Sequence, residues 1–261
     1  SADTFQRVFA KLNPLAFSEA FGRWMASACE GTGLIPIAID GKSVRGSRKA
    51  SSTACLHLVS AWATQNRLTL GQVAVPEGSN EVGVIPELLR MLELRGAIVT
   101  RDTAGCQKEI AKQILSQNGD DLLAVKGNQP TLKEAVEENY GQAEAEGVVS
   151  AEHECHETIE TSHVRTEKRT VRVCDQPKGL PPEWAGVKAV VRVDREREVK
   201  GVTTRSTRYD ITSYRGTAAE MGNLVRGHWG IENGLHLLLD VVFREDGSRK
   251  REGNAGANFA M

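Results

Sequence analysis

The sequence predicts an α/β chain: a mixed five-stranded sheet with helices on both faces, then a β-rich insertion, then a closing helix. Two observations carry this. The period of the apolar residues switches repeatedly between 3.6 and 2, and the segments so marked run β-β-β-α-β-α-β-α over residues 33–145. The style then changes: "GQAEAEGVVSAEHECHETIETS" (141–162) holds six glutamates and no Lys or Arg, which reads as a solvated linker.

Residues 1–32 form an N-terminal helical segment, with Phe5, Val8, Phe9 and Leu12 on one face and Phe17, Phe21 and Trp24 on another. "LIPIAIDGKSVRGS" contains a strand, Ile35, Ile37 and Ile39 on one side and Ala38 and Asp40 on the other. "HLVSAWATQ" (57–65) and "RLTLGQVAV" (67–75) make a hairpin turning near Asn66. A helix over 80–96 tolerates Pro86 in its first turn and ends before Gly96. Then come a strand (97–102), a helix (106–119), a strand (121–127) and a helix opened by Pro130. The three leading strands pair antiparallel, while the next two need helical crossovers and hence parallel pairing. The insertion (146–215) carries strands in "HVRTEKRTVRVC", "VKAVVRVDRE" and "RYDITSY", and residues 216–261 close the core.

At 261 residues, with 40% apolar and 26% charged side chains, the chain has the composition of a water-soluble globular protein. No apolar run reaches the ~18 residues of a membrane span, and no secretory pattern opens the chain. Five cysteines, an odd number with no C-x-x-C, point to a reduced cytoplasmic protein. A net charge of -1 argues against a nucleic-acid coat protein but permits basic patches around an acidic site.

Asp40 and Asp102 are each placed at a strand end and followed by turn residues, so two carboxylates can project into one crevice. Glu232, in "RGHWGIENGLHLLLDVVFRED", is an acid inside an apolar helix and can supply a third. Three carboxylates suit Mg²⁺ (or Mn²⁺), a hard cation held by acids and substrate phosphate oxygens. Two such ions about 4 Å apart activate an attacking oxygen and stabilise a leaving one. On an ideal helix Asp240 lies about 80° round from Glu232, so one of the two fits the site. Surface turn acids and an ion-pair partner are the alternative reading of all three.

Lys42, Arg45, Arg48 and Lys49 follow the first acid and suit DNA phosphates, or a solvated hairpin edge. Lys126 and Asn128 are phosphate contacts or turn residues. His163, Arg165, Glu167 and Arg169 share one strand face, either toward DNA or as an ion-paired stripe. "HECHE" (153–157) lacks the second ligand pair that zinc needs and reads as an exposed loop. His228 and His236 flank Glu232 in polar supporting roles.

Together "AIDGKSVRGS", "SNEVGVIPELL", "VTRDTAGCQKEIAKQI", "LLAVKGNQPTL", "HVRTEKR" and "HWGIENGLHLLLDVVFREDGSR" resemble the insertion-sequence D-D-E transposases of the H-repeat-associated group, found with Rhs elements. The resemblance spans about residues 3–258. It implies a ribonuclease-H-like core with a β-rich insertion before the last catalytic helix, a Mg²⁺ or Mn²⁺ cofactor, and cutting and joining of double-stranded DNA at element ends and target. It implies Asp40, Asp102 and Glu232 as catalytic metal ligands, with Asp240 second choice for the last. DNA contacts are expected from Lys42, Arg45, Lys126, Asn128 and Arg165, by a protein of the bacterial cytoplasm that associates with itself on DNA. Four residues depart from the pattern: Leu237, Arg101, Asp121 and Val164. The chain also begins and ends inside the pattern, so an inactive shortened relic or a DNA-binding regulator is the alternative, and a plain metal-dependent nuclease a third.

Overall fold

The computed structural model describes residues 1–29, 34–48, 55–145, 155–162, 164–175, 177–184, 186–248 and 252–260. The chain opens with α1 (Ala2–Lys11) and α2 (Pro14–Cys29). The aromatic stripe of α2 is not its buried face. Ser18, Gly22 and Met25 are buried, while Trp24 is 66% exposed. The reason is close approach. A Cβ on Gly22 would strike the carbonyl of Leu70, and the Ser18 hydroxyl both donates to Gln72 O and accepts from Gln72 N at 3.0 Å. Small residues let the helix backbone lie directly on the strand that carries Leu70 and Gln72.

Strands β1 (Ile35–Val44), β2 (Leu56–Ala63) and β3 (Leu68–Ala74) form an antiparallel meander. The β2–β3 turn spans residues 64–67, with Arg67 at φ 55°, so it is wider than one residue. Helix α3 (Glu81–Arg90) starts at Asn80, whose side chain accepts from Gly83 N at 3.1 Å. Strand β4 (Ala97–Arg101), α4 (Lys108–Ser116), β5 (Asp120–Val125) and α5 (Pro130–Ala145) follow in the order expected.

The insertion is more regular than its composition suggested. β6 (Cys155–Ser162) occupies part of the glutamate-rich stretch read as linker, and β7 (Arg165–Asp175), β8 (Ala189–Val199) and β9 (Val202–Thr212) are each 11 residues long. Pairing with β7 turns β6 into a strand despite its polarity. Lys200 and Gly201, both at positive φ, close β8 onto β9 with the handedness that suits twisted strands. The expected five-stranded sheet is therefore a correction. The strand order is β3-β2-β1-β4-β5-β9-β8-β7-β6, nine strands in a mixed α/β fold flanked by helices. The insertion's strands count among the nine because β9 pairs antiparallel with β5.

The end of the chain is not one continuous helix. Helix α6 (Ala218–His228) leads to a π-helical turn at Ile231–His236, then α7 (Leu237–Val241) and α8 (Ala255–Phe259). The ideal 100° per residue fails across the π turn, which adds residues per turn.

By contacts the chain divides into two compact units. One holds Ser1–Val99, Ser116–Gly119 and Gly227–Met261; the other holds Thr100–Leu115 and Asp120–Arg226. In the first, α8 docks on α1, with Phe9 and Phe259 stacked at 4.5 Å and Asn258 donating to the Phe9 carbonyl at 2.7 Å. In the second, α5 packs through Tyr140, whose hydroxyl proton is shared between the carbonyls of Arg172 and Val190 at 2.8 and 3.1 Å.

Candidate active site

The first unit carries Asp40 and Glu232. Side chains alternate along β1, so Ala38, Asp40, Lys42 and Val44 share one face. The closing segment covers that face: Ala38 and Trp62 pack with Ile231 and Leu235, and Val44 and Leu58 with Ala257 and Ala260. Asp40 lies inside β1 opposite Ser60, not at its end as the following glycine suggested. Gly41 continues the strand and has a different use. It faces the other side, where a Cβ would overlap the carboxylate of Glu81. Glu81 is held there by His57 Nε2 at 2.8 Å, and His57 Nδ1 lies 2.9 Å from the Ser43 hydroxyl.

Two side chains of the closing segment reach back toward β1. His236 Nδ1 stands 3.8 Å from Asp40 Oδ2. Burial, helped by the Lys42 charge, pushes the imidazole down to about 4 against the pull of Asp240 and Glu81. His236 is therefore neutral at pH 7, and the Asp40 charge is not cancelled by an imidazolium. Lys42, whose side chain is only 11% exposed, donates to Asp240 Oδ1 at 2.7 Å and to Glu245 Oε2. Burial alone would lower its pKa, but the bonds with Asp240 and Glu245 outweigh that and raise it. Asp246 completes the cage, accepting from the Arg45 backbone at 3.1 Å. Sequence spacing showed neither this cage nor its partners. The one available signal was the alternation that puts Lys42 on the face of Asp40.

Glu232 is exposed on the π turn, so the desolvation cost of an acid in an apolar helix does not arise. Ile231 beside it is fully buried, whereas Trp229 is 50% exposed. On a continuing helix Arg244, four residues on, would be the ion-pair partner of Asp240. Arg244 instead takes a left-handed conformation beyond the helix, φ 50°, and Asp240 turns to Lys42. Arg45 and Arg48 are exposed on the same unit, and Lys49 lies outside the described residues.

The second unit carries Asp102, just past β4 and exposed, its Oδ1 accepting from Ala104 N at 3.0 Å. Close to it is a pair that sequence reading missed. Asp210 on β9 is fully buried and receives Arg208 Nε on Oδ2 at 2.8 Å and Nη2 on Oδ1 at 2.6 Å. Burial would lower the Arg208 pKa, but Asp210, and more distantly Asp102, raise it. Lys126 and Asn128 are exposed in the turn after β5. Arg165 lies on β7 beside Glu167 at 3.8 Å. His163 and His153 lie outside the described residues; Cys155 and His156 sit in β6.

Among the described residues, no three His, Cys, Asp or Glu side chains stand together as a group able to hold a metal ion. The donor chemistry still separates the acids. Asp240 and Glu245 are committed to the Lys42 ammonium, while Asp102 and Glu232 present exposed carboxylates and Asp40 faces a neutral imidazole. Hard carboxylate oxygens of this kind fit Mg²⁺. Among the described residues no helix is long and apolar enough to cross a membrane.

The family model described as "Transposase DDE domain" matches residues 31–261. The chain is 40% identical over 266 residues to "H repeat-associated putative transposase YhhI" of Escherichia coli K12, covering 99% of this chain and 70% of that protein. "Putative protein YbfL" of the same strain is also 40% identical, with the same coverage. "Putative transposase YncI" of Escherichia coli O157:H7 is 39% identical over 264 residues, 97% of this chain and 66% of that one. A distant likeness links 85% of the chain to 46% of a chain in the cryo-EM structure of the piggyBac transposase synaptic complex with hairpin DNA, at TM-score 0.43 and 10% identity.

Proposed function

The chain belongs to the DDE transposase domain family, and from that premise we propose that it is an insertion-sequence transposase that cleaves and rejoins DNA at element ends on a ribonuclease-H-like core. Asp40, Asp102 and Glu232 are the residues that would hold Mg²⁺ or Mn²⁺. The bound metal supplies Lewis-acid activation of the attacking oxygen and charge for the leaving one. The protein's own contribution is positioning. The observation that carries this reading is within the first unit: the strand face bearing Asp40 is packed against Ile231 and Leu235, the segment that bears Glu232.

Each side chain has a defined part. Asp40 has a neutral imidazole, that of His236, beside it. The Lys42 cage ties the β1 end to the stretch after α7, so the segment carrying Glu232 is anchored at both ends, by Ile231 and by Asp240. Lys42 is thereby turned from solvent, and of the basic residues after Asp40 it is Arg45, 77% exposed, that suits a DNA phosphate. Lys126, Asn128 and Arg165 are the corresponding contacts in the second unit. Oligomerisation on paired DNA ends and residence in the bacterial cytoplasm complete the reading.

Purified protein incubated with duplex DNA carrying an element end and a target plasmid tests it. Mg²⁺-dependent 3′-end cleavage followed by joined products is the expected result. Cleavage without joining would mean a plain nuclease, and binding without cleavage a relic or regulator.

A further inference from the structure

The outer half of the β7–β8–β9 sheet has two faces of different charge. Register places Glu167 opposite Arg197, with Arg165 and Arg169 two residues either way along β7 and Arg195 diagonal to it on β8. All five side chains are on one face. The Glu167 side chain is 1% exposed, and three guanidinium groups converge on it: Arg195 at 2.9 Å, Arg165 at 3.8 Å, and Arg169. The second acid there, Glu160 on β6, lies 3.5 Å from Arg169 and also pairs with Arg226.

On the opposite face every named cation has a carboxylate partner, three acids serving four cations. Lys168 pairs with Glu157 at 2.7 Å and Arg205 with Glu196 at 2.8 Å. Arg172 and Arg192 share Asp194 at 2.7 and 3.0 Å. A carboxylate within reach of each cation is what a solvated sheet needs. The Glu167 face goes beyond that need. A single arginine would neutralise the buried carboxylate, yet three surround it and a fourth, Arg197, stands alongside. Arg165 and Arg195 remain 39% and 40% exposed. The Nε atoms of Arg195 and Arg197 are buried without a hydrogen-bond partner among the described residues, so it is the rest of each guanidinium that can face a ligand. Planar guanidinium forks held at fixed positions suit phosphate oxygens better than loose point charges do.

We propose that this face binds the phosphate backbone of duplex DNA, with Arg165, Arg169, Arg195 and Arg197 as the contacts and Glu167 as the positioning residue that holds their guanidinium groups. The proposal rests on the reading of the chain as a DNA transposase and adds where, outside the acids, the DNA is held. Residues two apart on a strand recur about every 7 Å and strands lie about 5 Å apart, so the arginines form a grid rather than a line. Glu167 then acts against its own charge. It subtracts one from the face and still strengthens binding, because it fixes the geometry.

That paradox is the test. The protein is titrated into labelled short duplex DNA without divalent metal, over a range of salt. Arg195→Gln should weaken binding roughly five-fold and flatten the salt slope by about one phosphate contact. Arg195→Lys, which keeps the charge and loses the fork, should recover only part of that loss. Lys168→Gln on the opposite face should stay within about two-fold of the parent. Glu167→Gln adds one positive charge and should nonetheless weaken binding, with a folded circular-dichroism spectrum. Tighter binding by Glu167→Gln would overturn the positioning role. Equal effects of Arg195→Gln and Lys168→Gln would overturn the face. If the parent protein fails to bind DNA at all, the transposase reading falls with it, whereas parent binding unaffected by these variants sinks this proposal alone.

Discussion

Lys42 donates a 2.7 Å hydrogen bond to Asp240, and this pair separates two acids that the sequence offered for one role. Asp240 spends its charge on an ammonium two residues past Asp40, while Glu232, eight residues earlier on the chain, stays exposed. Glu232→Gln is expected to abolish Mg²⁺-dependent cleavage. Asp240→Asn is expected to keep most of it and to lower stability by about 1 kcal/mol, since Lys42 retains Glu245. Both variants are compared on one DNA substrate, with urea midpoints recorded. An inactive Asp240→Asn beside an active Glu232→Gln would exchange the assignments.

Asp102→Asn separates charge from shape. The carboxylate caps its own turn by accepting from Ala104 N, and an asparagine oxygen can accept the same bond. What is lost is the charge that Mg²⁺ requires. Cleavage should disappear while the thermal midpoint stays where it was. Retained cleavage at the parental rate would remove Asp102 from the site.

Gly41→Ala tests why a glycine follows Asp40. Its conformation is ordinary extended backbone, so the reason is space: the added methyl would overlap the Glu81 carboxylate that His57 holds. Glu81 must swing away and the His57 bond must break. We expect a loss of about 1–3 kcal/mol by chemical denaturation. An unchanged midpoint would show that Glu81 moves at no cost.

Much of this organisation was legible because it depends on local pattern. The alternation of Ile35, Ile37 and Ile39 marked β1, and Pro130 marked the start of α5. The misses depended on packing and strand pairing that local pattern does not carry. Spacing put the aromatics of α2 on one face but did not show that Gly22 and Ser18, through a close approach to β3, are the residues buried. The glutamates of β6 looked like linker until paired against β7. The face that bears Asp40 followed from period 2, but the Lys42 cage, built from residues about 200 positions away, did not. Nor did the buried Arg208–Asp210 pair, since "RYD" alone does not reveal that its acid is inside.

Asp121, one of the four departures from the family pattern, should write a pH dependence into stability. It is 3% exposed on β5, and its Oδ1 accepts from Ser213 N at 2.9 Å. Burial raises its pKa to about 7, with Asp120 adding to the rise and Ser213 and Lys188 opposing it. The folded pKa lies above the unfolded one, so between about pH 4 and pH 7 the folded state holds a proton that the unfolded state releases. Stability contributed at this site is therefore greatest at the acid end of that window and declines as pH rises through it. Above pH 7 a buried charge is carried at full cost. Asp121→Asn keeps the acceptor for Ser213 N and has nothing to titrate. The two proteins should unfold at similar urea concentrations near pH 4. Near pH 8 the variant should be the more stable, by on the order of 1–4 kcal/mol. Parallel stability profiles for parent and variant from pH 4 to pH 8 would show that Asp121 ionises in the folded state as easily as in the unfolded chain.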